Sequence, residues 1–211
     1  MTETKVTAEL IEQARNGDQS ALNQLLRACE PRLLRTVDLY MDTRLQRVVS
    51  VEQIVQDTFG DAAHLIREIE TTDGGSFYVW LRGLAATRLS QLHQEHVGSS
   101  ETDGMDVTLH RGRMPQTTSF ALASKLIGNI TELENESIRA ERKIKLQSIL
   151  NTMAPEDREV LAMRHFEQLS FKETAIVMGL SEAEVGMKFL KALRRLKQFM
   201  EQMPGLTKDA K

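Results

Sequence analysis

A single cysteine, Cys29, in 211 residues excludes a disulfide framework and any zinc site built on cysteine pairs. Prolines number four and aromatic residues make up 5% of the chain, which argues against a sandwich or barrel, since those draw on aromatic and β-branched side chains. No apolar run approaches the roughly 20 residues needed to cross a bilayer, and the N-terminus shows no signal-peptide pattern. A Gly-rich phosphate loop, a Ser or Cys nucleophile setting and paired carboxylates are all missing, so no catalytic constellation is legible. His93-x-x-His96 with Glu95 between them lacks the His-Glu-x-x-His order of a zinc helix. These absences predict a cytosolic protein with no enzymatic chemistry, no metal, no cofactor and no membrane span.

What is present is ordinary for a globular chain: 41% hydrophobic and 27% charged residues, too apolar for disorder. The net charge of −3 is unevenly spread. Residues 1–97 carry 10 basic and 14 acidic side chains, residues 98–140 carry 4 and 6, and residues 141–211 carry 13 and 10. Phosphate neutralisation supplies most non-specific DNA affinity, so DNA contact is expected first in the C-terminal third. The acidic N-terminal part is suited to a protein partner.

The expected fold class is all-α: two helical domains, residues 1–97 and 131–211, joined by a flexible linker over 98–130. Thr7 opens a first stripe of Leu10, Ile11 and Ala14 that ends at Asn16-Gly17. Asp18 caps a second helix with Leu22, Leu25 and Leu26 inward, followed by Pro31 and a run through Leu33, Leu34, Val37 and Tyr40. Ser50 with Gln53 matches a capping box. Behind it Val51, Ile54, Val55, Thr58, Phe59 and Ala62 form one helical face, leaving Glu52, Gln53, Gln56, Asp57 and Asp61 on the other. An acidic face is commonly just solvated; it also suits docking on a basic protein. After a break at Thr71–Gly75, Ser76 is expected to cap a helix with Phe77, Trp80, Leu81, Leu84, Ala85, Leu89 and Leu92 inward, and with Arg82 and Arg88 projecting from its other faces. Residues from Gly98 to about Thr118 show no apolar periodicity and read as linker. A charged helix is expected from about Thr131 to Asn151.

The most informative stretch is 155–200. Pro155 suits the first position of a helix, with Glu156 and Asp157 in its positive first turn. Ser170-x-x-Glu173 and Ser181-x-x-Glu184 are two further capping boxes, and Gly179 lies between them. Two short capped helices around a glycine turn describe a helix-turn-helix. Ala175 is small enough for close approach, Gly179 tolerates a left-handed turn and Val185 fills the angle. The second helix is expected to turn Phe189, Leu193, Leu196 and Met200 inward and to carry Lys188, Lys191, Arg194, Arg195 and Lys197 on its surface. A helical hairpin with a solvated basic face accounts for the cations alone, but not for the paired capping boxes. With the start of this helix in a major groove, Glu182, Ala183, Glu184, Gly186, Met187 and Lys188 are candidates to face base edges, and Ser181 is counted with them as a DNA-binding residue. Lys191, Arg194 and Arg195 would meet phosphates.

These residues resemble a family, the bacterial RNA polymerase sigma factors of the extracytoplasmic-function (ECF) type. Three stretches carry the likeness: TAELIEQARNGDQSALNQLLRACEPRLLRTVDLY at 7–40, SVEQIVQDTF at 50–59 followed by FYVWLRGLAATRL at 77–89, and the run from MAPEDREVLAMRHFEQLSFKETAIVMGLS to ALRRLK within 153–197. The resemblance implies a protein that binds core RNA polymerase and promoter DNA and directs promoter-specific initiation. Glu52, Gln53, Gln56 and Asp57 would then face the polymerase clamp. Trp80, Arg82, Thr87 and Arg88 would meet the melted downstream promoter element, where exposed single strand follows basic and aromatic side chains. The C-terminal helix-turn-helix would read the upstream element, and an anti-sigma protein would be a further partner, as is common in that family. Thr87 stands where the family often has Asn, and Gly186 and Met187 stand where Lys and a small polar residue are common. Two other readings stay open: a stand-alone helix-turn-helix regulator that binds palindromic half-sites as a dimer, and a sigma-like adaptor that binds polymerase without opening promoters.

Overall fold

The computed structural model describes residues 6–70, 73–96, 114, 119–128 and 136–202, all helices and their connections with no strand among them. Two compact units divide the chain. One comprises Met1–Pro115 with Ile176–Gly179, the other Gln116–Ala175 and Leu180–Lys211.

In the first unit, helix α1 (Ala8–Arg15) begins where the Thr7 hydroxyl accepts from the Leu10 amide, and Gly17 turns the chain at φ 97°. Asp18 caps α2 (Gln19–Tyr40) by accepting from the amides of Ser20 and Ala21. The helix runs for 22 residues through Pro31, whose ring is exposed and which lacks the amide that would donate to the carbonyl four residues before. Helix α3 (Val51–Leu65) starts at Ser50, whose hydroxyl accepts from the Gln53 amide at 3.1 Å. The expected box is half formed: the Gln53 side chain donates forward to Asp57 instead, at 2.8 Å.

Helix α4 (Gly74–His96) begins three residues earlier than expected. Asp73 is its cap, accepting from both the Ser76 amide and the Ser76 hydroxyl, because a carboxylate is a stronger acceptor for a helix N-terminus than a hydroxyl. The helix is buried nearly all round: Tyr78, Arg82, Ala86 and Ser90 are as inaccessible as Phe77, Leu81, Ala85 and Leu89, whereas Trp80 and Leu84 are only half-buried. Arg82 therefore does not project to solvent. Packing of α4 against α2 and α3 is fixed by a buried hydrogen bond between the Thr36 and Tyr78 hydroxyls at 2.9 Å, with the Arg32 guanidinium 3.7 Å above the Tyr78 ring.

In the second unit, α5 (Ser119–Gly128) forms inside the span expected to be linker and packs on α6 (Glu136–Thr152). Its Leu122, Ala123 and Ile127 are buried, an amphipathic stripe shorter than the stretch of polar sequence before it. The rest of the expected linker, 98–113, 115–118 and 129–130, lies outside the described residues, as does the expected helix start at Thr131. Pro155 opens α7 (Pro155–Leu161), and Arg158 on it donates to the carbonyls of Leu150 and Met153 at the end of α6. A π-helical turn over 162–166 follows. Its exit places Gln168 at φ 56°, a left-handed conformation that costs an L-residue with a Cβ roughly 1–2 kcal/mol. We therefore expect Gln168→Gly to stabilise this unit by about 1 kcal/mol, read as a rise in the urea midpoint at unchanged slope. A lower midpoint would show that the Gln168 side chain contributes more than the turn costs.

Candidate functional site

Both capping boxes of the helix-turn-helix are closed. Before α8 (Phe171–Met178), the Ser170 amide donates to Glu173 and the Glu173 amide to the Ser170 hydroxyl, at 2.6 and 3.1 Å. Before α9 (Glu182–Gln202), the Ser181 amide donates to Glu184 at 2.8 Å and the Glu184 amide returns to the Ser181 hydroxyl at 3.3 Å. Serine's amide and hydroxyl hold the Glu184 carboxyl below its ordinary range, so Glu184 is a charged capping group. The turn between the helices passes through Gly179 at φ 65°, and the Leu180 amide closes it on the Ala175 carbonyl at 3.1 Å. Phe171 and Phe189 meet edge to face, and the Arg164 guanidinium lies 4.0 Å over the Phe171 ring.

Which face of α9 is inward follows from its buried residues. Val185 and Ala192 are fully buried and Phe189 and Leu196 half-buried, a stripe at i, i+4, i+7 and i+11. Leu193, expected inward, is 39% exposed: the neighbouring Ala192 takes the core position, where a small residue lets α9 approach α7. The Met200 side chain lies outside the described residues. Opposite the core stripe stand Ala183, Met187, Leu190 and Arg194, all exposed.

The basic residues divide by direction. Lys188 and Lys191 turn toward α7, Lys188 bonding Glu156 and Lys191 standing 3.2 Å from the buried carboxylate of Asp157. Glu156 raises the Lys188 pKa above its ordinary value. Arg195 donates to the Thr152 carbonyl at the end of α6, at 2.9 Å. Three of the predicted DNA ligands thus also tether the recognition helix to its own unit, a role the sequence hides because Glu156, Asp157 and Thr152 lie 32 to 43 residues away. Arg194 and Lys197 point outward. Gly186 has open space where a Cβ would stand, so packing within the chain does not require glycine there.

On the first unit, Glu52, Gln53 and Gln56 are exposed and Asp57 half-buried along one face of α3, as the periodicity predicts. Asp57 is further engaged: the Arg88 guanidinium of α4 donates to it at 2.8 Å and holds its carboxyl below the usual range, with Gln53 adding to the effect. A predicted docking residue and a predicted DNA residue are therefore a pair. Of the other downstream candidates, Thr87 is exposed, with its hydroxyl bonded to the Gly83 carbonyl, and Trp80 is half-buried against Phe77 at 5.6 Å between centroids. Arg82 is the exception. At 2% exposure, with its guanidinium 5.6 Å from the Tyr40 ring, it belongs to the core and not to the surface on which a nucleic acid would lie. Among the described residues no cluster of three His, Cys, Asp or Glu side chains is arranged to hold a metal, and no helix is long and apolar enough to cross a membrane.

Comparison with known proteins falls on the same segments. Residues 143–196, from α6 into α9, match the family described as Sigma-70, region 4. Over 125 residues, 56% of this chain and 69% of that protein, the sequence is 32% identical to the RNA polymerase sigma-E factor of Streptomyces avermitilis. It is 22% identical over 188 residues to the ECF RNA polymerase sigma factor SigD of Mycobacterium tuberculosis, spanning 89% of this chain and 81% of that protein. A solved structure of CnrH in complex with the cytosolic domain of CnrY shares the fold at a TM-score of 0.52 and 20% identity, covering 92% of this chain and 97% of that one.

Proposed function

Because the chain belongs to the ECF family of RNA polymerase sigma factors, and so binds core polymerase and directs promoter-specific transcription initiation, we propose a division of labour between its two units. The first unit docks on the polymerase clamp through the acidic α3 face, Glu52, Gln53, Gln56 and Asp57. It meets the melted downstream element along α4 with Trp80, Thr87 and Arg88. The second unit lays the start of α9 in the major groove of the upstream element, with Arg194 and Lys197 on phosphates. The linker between them runs through the polymerase.

One observation carries this reading: α9 is capped, anchored on its inner face, and presents its outer face and two cations to solvent. Likeness to sigma factors over 89% of the chain favours this over a stand-alone regulator sharing only a helix-turn-helix. The protein works in the cytoplasm, where the polymerase is. A sequestering anti-sigma protein is a further proposed partner, supported by a structural neighbour solved in complex with another protein's cytosolic domain.

The test is transcription in vitro from fragmented host genomic DNA with core polymerase, with and without the chain. New starts sharing a spaced two-part motif are expected. Arg194→Ala with Lys197→Ala lowers upstream-element affinity roughly evenly across promoters and shallows its salt dependence by about two phosphate contacts. Core binding without new starts would instead establish the adaptor reading. Unchanged affinity and salt slope in the double variant would remove both cations from the interface.

A further inference from the structure

We infer that α9 reads thymine methyl groups, with Met187 and Leu190 as the specificity-determining side chains; the inference rests on the proposed entry of α9 into a major groove. Met187 is 65% and Leu190 54% exposed, one turn apart on the stripe that faces away from Val185 and Ala192. Single exposed apolar side chains are ordinary on a protein surface, but these two stand together on one face, in the first half of the helix. The polar groups around them are committed elsewhere. Glu184 is held by Ser181, Lys188 by Glu156, and Arg195 by the Thr152 carbonyl, and position 186 has no side chain at all. Glu182 is exposed at the first turn, but a carboxylate accepts from the exocyclic amines of cytosine and adenine in the major groove and has no donor to meet on thymine.

Guanine is read by Arg or Lys and adenine by Asn or Gln, through paired hydrogen bonds. The outer positions 183, 187 and 190 offer none of these. The apolar feature of a base-pair edge in the major groove is the thymine C5 methyl, which packs against apolar side chains. Methionine suits this contact, being unbranched and polarizable and able to follow an uneven surface. Arg194 and then Lys197 follow Leu190 on the outward side of the helix, so the surface is greasy over its first half and cationic beyond it. Duplex DNA has that complement: methyl groups on the groove floor and phosphates along its walls.

The experiment uses holoenzyme assembled from core polymerase and the full chain, on a promoter whose upstream element has been mapped by footprinting. Each thymine in the protected upstream element is replaced in turn by deoxyuridine, which removes only the methyl. At one or two positions we expect affinity to fall roughly three- to five-fold, the worth of one methyl removed from water. Met187→Ala lowers affinity for the thymine promoter by a similar factor and erases the thymine–deoxyuridine difference at one position; Leu190→Ala does so at its neighbour. Both side chains are exposed, so thermal melting is expected to be unchanged. Upstream protection with equal affinity for thymine and deoxyuridine at every position, or a protected element without thymine, would overturn the methyl readout while leaving the upstream reading intact. Loss of upstream protection altogether would overturn both. Weaker core binding by Met187→Ala, with thymine discrimination unchanged, would make the patch a protein contact and overturn the inference.

Discussion

Arg82→Ala is expected to destabilise the first unit by about 2–5 kcal/mol, the range for truncating a long, fully buried side chain to alanine. The residue sits on α4 at 2% exposure, with its guanidinium carbon 5.6 Å from the Tyr40 ring. A guanidinium carries five N–H donors, and burying it is tolerable only where surrounding groups receive them. Truncation removes the cation and the packing of its three methylenes at once and leaves a cavity in their place. Domains of this size are stable by roughly 5–15 kcal/mol in total, so the loss takes a large share. The lone tryptophan, Trp80, lies less than one turn away on α4 and reports this unit in urea denaturation. Thr87→Ala, at an exposed position of the same helix, is the control and should leave the midpoint nearly unchanged. A promoter-opening defect in Arg82→Ala would then be a folding defect. If the variant melts like the parent but opens promoters poorly, Arg82 acts on DNA and its burial is relieved in the complex.

The second large effect is expected from Asp57→Arg. The substitution replaces a carboxylate on the proposed docking face with a cation, and like charges brought together at an interface cost several kcal/mol. Core-polymerase affinity should fall roughly a hundred-fold. The same change sets two guanidiniums against each other, because Arg88 now lies 2.8 Å from Asp57. Both side chains are about a third exposed, so water screens that repulsion and the cost to the fold stays near 1 kcal/mol or below. Arg88→Ala separates the two contributions. It breaks the pair without touching the docking charge, and is expected to leave core binding within a few-fold. Equal losses for Asp57→Arg and Arg88→Ala in a competition assay for core polymerase would mean that the intact pair, and not the Asp57 charge, supports docking.

The pairing also bears on how an ECF sigma factor is tested. Lys188→Ala and Arg195→Ala look from the sequence like clean probes of DNA binding. In the structure each also releases a tether, to Glu156 or to the Thr152 carbonyl, so a weaker footprint from either mixes lost phosphate contact with a loosened helix. Arg194 and Lys197 point outward and are the better probes.

Local rules were legible because they act over three or four residues. Thr7, Asp18, Ser50, Ser170 and Ser181 each cap the helix that follows them, since a side-chain oxygen within reach of an orphan amide decides where a helix begins. At α4 the expected cap, Ser76, gives way to Asp73 three residues earlier, a choice only the folded geometry makes. The inward stripe of α9 was misread by one position at Leu193 because hydrophobicity alone ranks leucine above alanine, whereas contact with α7 selects for small size.

Reading along the chain is enough to show that it is helical, where most of its described helices start, that its C-terminal part holds a helix-turn-helix, and which family it resembles. All of these follow from interactions between near neighbours or from the order of motifs. Long-range packing settled the fate of the charges: Arg82 to the core, Arg88 to Asp57, and Lys188 and Lys191 to α7. Each of those outcomes depends on residues brought together from far along the chain, where burial and pairing set the energy of a charge and where spacing in the sequence carries no record of the partner.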